Sequence, residues 1–276
     1  MKSREREFKF TLKDFNYLRN ITNKKTGIMV SDDKFDMFYA RLSKHVRRLG
    51  LSDFHDYCQV ISRGESQEMI TLINSVTTNL TSFFREKHHF DYMKSDFIPG
   101  HVKNKQDRKL LRIWSAGCST GEEPYSIAMQ ALESLPLGWQ VKITATDVDT
   151  DVLAKARTGV YSASKLDGVS DSRLKRWFYK GSESKEGYVK VRKELTDVIE
   201  FKQLNLIDNW FFQDKFDLVF CRNVLIYFDI DTKKKIADKF HRVTQDDGCL
   251  MIGHSESLFN VSSKFKLIGN TIYENL

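Results

Sequence analysis

The sequence predicts an α/β fold in which an all-α part precedes a doubly wound, mostly parallel sheet domain. Through the first hundred residues, apolar residues recur at three- and four-residue spacing, and no strand-like alternation appears. From residue 110 onward, short apolar runs alternate with helical segments, the order that builds a parallel sheet covered on both faces. Between residues 159 and 197 this alternation stops, which indicates an insertion.

Four amphipathic helices are predicted in the N-terminal part, at residues 8–20, 33–49, 52–63 and 66–77. Ser52 and Ser66 stand where N-caps are expected. We place this helical domain at residues 1–96. The polar stretch after Pro99 is typical of a linker, which we place at residues 97–108.

The sheet domain is predicted to span residues 109–276, with the inserted β-subdomain at about 159–197. Its predicted strands are residues 110–114, 141–146, 198–203, 216–221 and 249–252. Predicted helices run from about residue 122 to 132, from 150 to 157 and from 231 to 243. In the insertion, two β-prone runs flank a turn that contains Gly181 and Gly187, which predicts a hairpin.

Composition narrows the possible function. No run of about 18 uncharged apolar residues exists to cross a membrane, and the charged N-terminus lacks the apolar core of a secretory signal, so we expect a cytoplasmic protein. The four cysteines stand apart, without a CxxC pair or a Cys/His cluster, so neither zinc nor a disulfide framework is expected. The net charge of +7 favours an acidic partner: nucleic acid, an anionic membrane or an acidic protein surface.

The loop after the first strand carries the strongest functional signal. Gly117 and Gly121 let the backbone approach a ligand at the carboxyl end of the strand. Glu122 and Glu123 then open a helix, where two carboxylates repel a phosphate and attract an ammonium or sulfonium group. The loop therefore favours S-adenosylmethionine over a nucleotide phosphate. The alternative is a tight glycine turn whose glutamates only complement the helix dipole.

Polar residues follow three further strands. Asp147 ends the second strand, where a carboxylate can accept both ribose hydroxyls of an adenosine cofactor. Asp149 and Asp151 are better placed as an N-cap and a first-turn residue. Asn205 and Asn223 follow the next two strands, and we expect both to line the same pocket, although each could be a turn residue.

Five motifs in this order resemble the chemoreceptor glutamate O-methyltransferases, the CheR family: TNLTSFFRE at 78–86, GCSTGEEPYS at 117–126, ATD at 145–147, CRNVLIYF at 221–228 and GHSE at 253–256. The resemblance implies an all-α N-terminal domain and a class I methyltransferase (Rossmann-like) domain with an inserted β-subdomain. It implies S-adenosyl-L-methionine as cofactor and S-adenosyl-L-homocysteine as product. Ser115 stands near the place where many other methyltransferases carry an acidic residue.

The resemblance also implies a set of residues around the cofactor. These are Asn79, Thr81, Arg85, Glu122, Asp147, Asn205, Leu206, Arg222 and Asn223, and the glycine loop adds Gly117. The segment from Asn79 to Arg85 precedes the sheet and would therefore have to fold back over the pocket. Without the resemblance, this segment would be interpreted as a helix start with core phenylalanines.

The resemblance implies methylation of receptor glutamates for sensory adaptation in chemotaxis. A glutamate acceptor, with a reference pKa of about 4.3, is already a carboxylate at neutral pH, so no general base is expected. Arg85 and Tyr227 are the candidates for orienting that carboxylate, and Tyr227 could alternatively be a core aromatic. His254 and Glu256 are interpreted as structural.

The resemblance implies, as partner, the cytoplasmic domain of a methyl-accepting chemotaxis receptor. Arg41, Lys44, Arg47 and Arg48 form a basic stripe on the second predicted helix, which is either a solvated face or, as the resemblance implies, a docking surface for acidic receptor helices. In some relatives the β-subdomain adds a receptor's C-terminal peptide as a strand, which is a hypothesis here. We expect a monomer that neither binds nucleic acid nor inserts into a membrane.

Two alternatives stay open at this point. A nucleic-acid methyltransferase is compatible with the net charge, but no aromatic-interleaved basic patch or base pocket motif appears. A non-catalytic receptor-binding scaffold that senses S-adenosylmethionine would keep the cofactor residues without transferring the methyl group.

Overall fold

The computed structural model describes residues 6–64 and 66–276. The chain divides into two compact units. One contains the helical residues up to Thr78 together with Tyr227–Asp229, and the other contains Asn79–Ile226 and Ile230–Leu276. In the described residues, no helix has the length and apolar character needed to cross a membrane.

The helical unit is built from α1 (Leu12–Thr26), α2 (Phe35–Arg48), α3 (Phe54–Ser62) and α4 (Ser66–Val76). Thr11 caps α1 in a reciprocal capping box with Asp14, so this helix begins four residues later than predicted. The aromatic rings of Phe15, Phe38 and Phe54 are buried in the core of the helical unit.

Both serine N-cap predictions for this unit are corrected. Asp53, and not Ser52, caps α3 by accepting the N–H of Asp56, because the aspartate carboxylate reaches the third helical residue. Ser66 is itself the first residue of α4, and the residue before it lies outside the described part of the chain.

The sheet unit contains ten strands among its described residues: β1 (Leu110–Ala116), β2 (Gln140–Asp147), β3 (Val160–Ser162), β4 (Phe178–Lys180), β5 (Tyr188–Val191), β6 (Ile199–Gln203), β7 (Phe216–Cys221), β8 (Thr244–Ile252), β9 (Phe265–Gly269) and β10 (Ile272–Asn275). Its helices are α5 (Lys87–Tyr92), α6 (Ile98–Asn104), α7 (Glu122–Ser134), α8 (Thr150–Thr158), α9 (Asp171–Trp177), α10 (Lys193–Thr196) and α11 (Ile230–Val243).

The central sheet has seven strands in the order β6-β2-β1-β7-β8-β10-β9. The first five are parallel, and β10 runs antiparallel to both of its neighbours. From β1 the chain moves outward to β2 and β6 and then returns to β7 on the other side of β1. The connections that follow β1 and β7 therefore lead to opposite sides of β1, and such a switch point, at the carboxyl ends of the strands, is where open α/β sheets bind ligands. The two C-terminal antiparallel strands, β9 and β10, were not predicted.

A three-stranded antiparallel sheet, in the order β3-β5-β4, lies within the predicted insertion and includes the predicted hairpin. The ring of Phe83 packs edge-on against Tyr161 and Phe178 of this sheet. Gly168 approaches the same phenylalanine so closely that an added Cβ would lie 2.2 Å from the Phe83 carbonyl oxygen. The small sheet thus packs tightly against the segment that begins at Asn79.

Replacing Gly168 by alanine should lower the free energy of unfolding by about 1–3 kcal/mol, because the new methyl group overlaps a backbone atom that cannot rotate away. Gly100→Ala is the matched control, since no atom lies within 4 Å of its added Cβ. It lies in α6, where alanine is favoured over glycine by about 1 kcal/mol. Urea unfolding measures the free energy of unfolding of both variants, and equal values for the two would contradict this prediction.

The structure moves the predicted boundary between the two parts. Residues 79–96 belong to the sheet unit and not to a helical domain ending at residue 96. Residues 98–104 form α6, so most of the predicted linker at 97–108 is helical. Ile98 and His101, three residues apart, are buried on one side of α6, whereas Lys103 and Asn104 are exposed.

Candidate functional site

The loop between β1 and α7 packs closely against neighbouring segments at Gly117. The N–H groups of Gly117 and Cys118 both donate to the Thr146 carbonyl, at 2.8 and 2.9 Å, which ties the end of β1 to the end of β2. Gly117 has a φ of +85°, and an added Cβ would lie 2.4 Å from Cγ2 of Val224. Glycine is required here by both conformation and space.

Asp147, at the end of β2, orders the loop through its carboxylate. Oδ2 accepts the Ser119 N–H at 2.8 Å, and Oδ1 accepts the Asp149 N–H at 3.0 Å. Burial raises the pKa of Asp147 to about 6. Each carboxylate oxygen has a second lone pair, so both can still accept a ligand hydroxyl.

Asp149 is the N-cap of α8, as predicted, and accepts the N–H groups of Asp151 and Val152. Its other oxygen accepts the side-chain amide of Asn79 at 2.8 Å. The Asn79 carbonyl in turn accepts the Ser119 hydroxyl at 3.1 Å. The segment that begins at Asn79 therefore contacts the glycine loop, as the predicted folding back requires.

Glu122 is fully buried at the start of α7 and is only half satisfied. Its Oε2 accepts the Thr120 hydroxyl at 2.6 Å, whereas Oε1 has no hydrogen-bond partner among the described residues. An unpaired buried carboxylate oxygen is costly unless a donor reaches it. This residue therefore fits a ligand that carries an ammonium group.

Arg222, directly after β7, is buried between two carboxylates. Its guanidinium lies 3.3 Å from Glu86 and 3.1 Å from Glu123, and it also donates to the Arg85 carbonyl. Glu123 additionally accepts the Ser115 hydroxyl at 2.7 Å. Burial raises the pKa of Glu123, and Arg222 opposes this shift. The guanidinium thus joins three segments of the sheet unit.

Asn223 adopts the left-handed conformation, with a φ of 58°. Its N–H donates to Glu256 at 2.9 Å, and its side-chain amide lies 3.4 Å from Glu86. Glu256 also accepts the N–H groups of Gly253 and Ile226. Glu256 therefore satisfies three backbone groups at this turn, in agreement with its interpretation as a structural residue.

The turn after β6 contains the remaining predicted cofactor residues, Asn205 and Leu206. The Leu204 N–H donates to the Asp147 carbonyl at 3.0 Å, which brings this turn beside the end of β2. The Asn205 side chain accepts the Ile207 N–H at 3.4 Å, and Leu206 is buried.

The two candidate catalytic residues lie in different units. Arg85 belongs to the sheet unit, where Nη1 donates to the Leu80 carbonyl at 3.0 Å, and Thr81 lies in the same segment. Tyr227 ends a short 3₁₀ helix and groups with the helical unit. Its role stays a prediction.

The four predicted docking residues on α2 differ in their surroundings. Arg41 donates to the carbonyls of Ser75 and Thr77. Arg47 pairs with Glu7, and Arg48 pairs with the buried Glu68 at 2.7 Å. Lys44 is exposed, and Arg47 and Arg48 also remain largely exposed despite these pairs.

Three side chains lie close enough together to suggest a metal site, but we assign none. Glu86, His88 and His89 offer ligand atoms within 4.8 Å of one another. A cation already occupies this position, because the Arg222 guanidinium lies 3.3 Å from Glu86. Nε2 of His89 contacts the Thr271 hydroxyl, and burial lowers the pKa of His89 to about 3.

Sequence reasoning did not identify Glu86 and Ser119. Glu86 is the last residue of the 78–86 motif, and that position is the signal that could have found it. Ser119 lies between the two loop glycines, and it contributes a backbone N–H whose direction no residue type reveals.

The chain is similar to known proteins over most of its length. Residues 79–274 match the family model described as CheR methyltransferase, SAM binding domain, and residues 13–77 match CheR methyltransferase, all-alpha domain. The chain is 41% identical over 264 residues to the chemotaxis protein methyltransferase of Salmonella typhimurium, covering 94% of this chain and 88% of that protein. It is 41% identical over 264 residues to the Escherichia coli protein, with 94% and 89% covered. Identity to chemotaxis protein methyltransferase 2 of Pseudomonas aeruginosa is 38% over 269 residues, with 97% and 94% covered.

Proposed function

The chain belongs to the CheR methyltransferase family, and from this membership we propose that it methylates glutamate side chains of chemotaxis receptors, using S-adenosylmethionine. The products are glutamate methyl esters, which serve sensory adaptation, and S-adenosylhomocysteine. The observation that carries the proposal is the half-satisfied, fully buried Glu122 beside the Asp147 loop. The unpaired Glu122 oxygen suits the ammonium group of a ligand, and the Asp147 carboxylate suits its ribose.

In the proposed complex, the Asp147 carboxylate accepts the ribose hydroxyls, and Glu122 Oε1 accepts the ammonium group. Gly117 allows close approach, and Asn79, Thr81, Asn205, Leu206 and Asn223 surround the ligand. Arg222 acts less directly, because its guanidinium already lies between Glu86 and Glu123. We propose that it holds the Asn223 turn and the Arg85 segment in place.

When bound, S-adenosylmethionine supplies an activated methyl group on its sulfonium. The acceptor carboxylate is ionised at neutral pH and needs no base, so the protein has to hold one of its oxygens in line with the methyl carbon and exclude water. Arg85 and Tyr227 are the proposed residues that orient this carboxylate. Arg85 is partly exposed, which leaves it accessible to a protein substrate.

We propose that α2 docks on the acidic cytoplasmic helices of the receptor. The Glu7 and Glu68 partners reduce the charge that Arg47 and Arg48 offer, so the exposed Lys44 becomes the strongest candidate of the four. Exposed charges of this kind raise the association rate and give salt-dependent binding.

Lys44→Glu should weaken binding to a receptor cytoplasmic fragment by about tenfold at low salt, and by less at high salt. The matched control is Lys13→Glu on α1, which makes the same charge change at another exposed position of the helical unit. Titration calorimetry at two salt concentrations measures both. If the two variants weaken binding equally, the loss is explained by the overall charge of the protein, and the proposal that α2 is the docking surface is rejected.

A second proposed contact is a receptor's C-terminal peptide on the small antiparallel sheet. Strands β3 and β4 are the edges of that sheet, and an edge strand can pair with an added strand. Titration with receptor tail peptides tests this contact, and absence of saturable binding would reject it.

The test of the proposed reaction is incubation with methyl-labelled S-adenosylmethionine and receptor cytoplasmic fragments, followed by mild alkali. Label on the receptor should be released, because a carboxyl methyl ester hydrolyses. Alkali-resistant label would reject the glutamate acceptor, and label on nucleic acid would favour a nucleic-acid methyltransferase. Cofactor binding without transfer to any receptor would favour a non-catalytic scaffold.

A further inference from the structure

The side chain of Lys239, on α11, ends against three consecutive backbone carbonyls. Its Nζ donates to Leu206 at 2.9 Å, to Ile207 at 2.9 Å and to Asp208 at 2.7 Å. An ammonium group has three donors, so all of them are engaged by one turn of the chain. Nζ also lies 5.1 Å from the ring centroid of Trp210.

This turn is held from two sides. On one side, the Leu204 N–H donates to the Asp147 carbonyl at 3.0 Å, which attaches the turn to the end of β2. Within the turn, the Asn205 carbonyl accepts the Asp208 N–H at 3.1 Å. On the other side, the Lys239 ammonium gathers three carbonyl dipoles that would otherwise repel one another.

The Lys239 ammonium group is also partly buried at this turn, unlike the end of an ordinary surface lysine. Burial lowers the pKa of Lys239, so the ammonium group is partly withdrawn from water to reach these carbonyls. Hydrogen bonds from a charged donor are roughly twice as strong as neutral ones. The two residues at the start of the turn, Asn205 and Leu206, are those proposed above to contact the adenosine part of the cofactor.

We propose that Lys239 is a positioning residue for the adenosine end of the cofactor. It acts through the turn at residues 205–208 and does not touch the ligand itself. This inference rests on the proposed function, because it assumes that S-adenosylmethionine occupies the pocket beside Asp147.

The test compares Lys239→Met with Lys235→Met. Both substitutions remove a lysine charge from α11, but Lys235 is exposed and lies one turn earlier on the helix. For Lys239→Met we expect the Kd of S-adenosylhomocysteine and the KM of S-adenosylmethionine to rise about tenfold, because small displacements of a binding residue have large effects. The kcat at saturating cofactor should stay within about twofold of the wild type. Lys235→Met should match the wild type throughout.

A probe that contains only the adenosine end separates positioning from general damage. The Kd of 5′-methylthioadenosine should rise by the same factor as that of S-adenosylhomocysteine. A folded Lys239→Met protein with wild-type Kd values, or one that loses kcat without a change in KM, would overturn the proposal. If this variant does not fold, Lys239→Gln carries the same test: a raised Kd supports the proposal, and a wild-type Kd overturns it. Failure of the wild-type protein to bind S-adenosylhomocysteine would instead reject the proposed function.

Discussion

Asp147→Asn should weaken binding of S-adenosylhomocysteine about 100-fold, with little change in the fold of the apoprotein. The carboxylate is proposed to accept two ribose hydroxyls, and hydrogen bonds to a charged group contribute roughly 1.5 kcal/mol or more each. Two such bonds sum to about 3 kcal/mol, which corresponds to about two orders of magnitude in Kd. An asparagine would also turn an NH₂ group toward the N–H of Ser119 or Asp149, both of which now donate to this side chain.

Titration calorimetry measures this loss, and Asp151→Asn is the matched control. Asp151 is exposed in the first turn of α8, so its substitution makes the same charge change outside the pocket. Affinity that survives Asp147→Asn unchanged would remove Asp147 from the cofactor site.

The same residue predicts how binding depends on pH. Burial raises the pKa of Asp147 from 3.8 to about 6, so the Asp147 carboxyl group binds its proton more tightly in the folded protein than in the unfolded chain. This group therefore makes the apoprotein less stable as the pH rises from about 4 to about 6. Cofactor affinity should change in the opposite direction, increasing through pH 6 as the carboxylate ionises. The rise should be absent in Asp147→Asn, and an identical pH profile in that variant would assign it to another group.

Arg222→Met should lower the free energy of unfolding by about 3–5 kcal/mol, because it leaves two largely buried carboxylates, 13% and 11% exposed, without their cation. Glu86 and Glu123 both contact this guanidinium, at 3.3 and 3.1 Å. Methionine matches the length of the side chain without its charge. The loss should be larger at pH 8 than at pH 5, because burial raises the pKa of Glu123 and protonation of this carboxyl group relieves part of the uncompensated charge.

Urea unfolding measures the effect, with two comparisons. Arg112 pairs with Asp214 at 2.7 Å, and this aspartate is largely exposed. Arg112→Met should therefore lower the free energy of unfolding by about 1 kcal/mol or less. Adding Glu123→Gln to Arg222→Met should restore part of the lost stability. If Arg222→Met is no more destabilising than Arg112→Met, the buried network does not stabilise the sheet unit.

Features that depend on neighbouring residues in the chain could be predicted from the sequence. The strand–glycine loop–helix order around Gly117, the end-of-strand position of Asp147 and the hairpin of the insertion all follow from short-range patterns. The order of the five motifs led to the family, which the comparisons confirm. The N-cap role of Asp149 followed from its position before an apolar helical pattern.

Features that depend on distant residues were decided by the tertiary structure. Arg222 and Glu86 are 136 residues apart, so no local pattern predicts that the guanidinium bridges carboxylates. The pairing of Arg48 with Glu68 reduces the apparent charge of a stripe that looks uniformly basic in sequence. Residues 98–104 are a packed helix and not a linker, because the burial of Ile98 outweighs the polar composition around it. Sequence periodicity and turn chemistry determined the type of most helices and strands and the chemistry of the loops between them. Long-range burial and charge pairing determined where the units divide and which polar groups remain for a ligand.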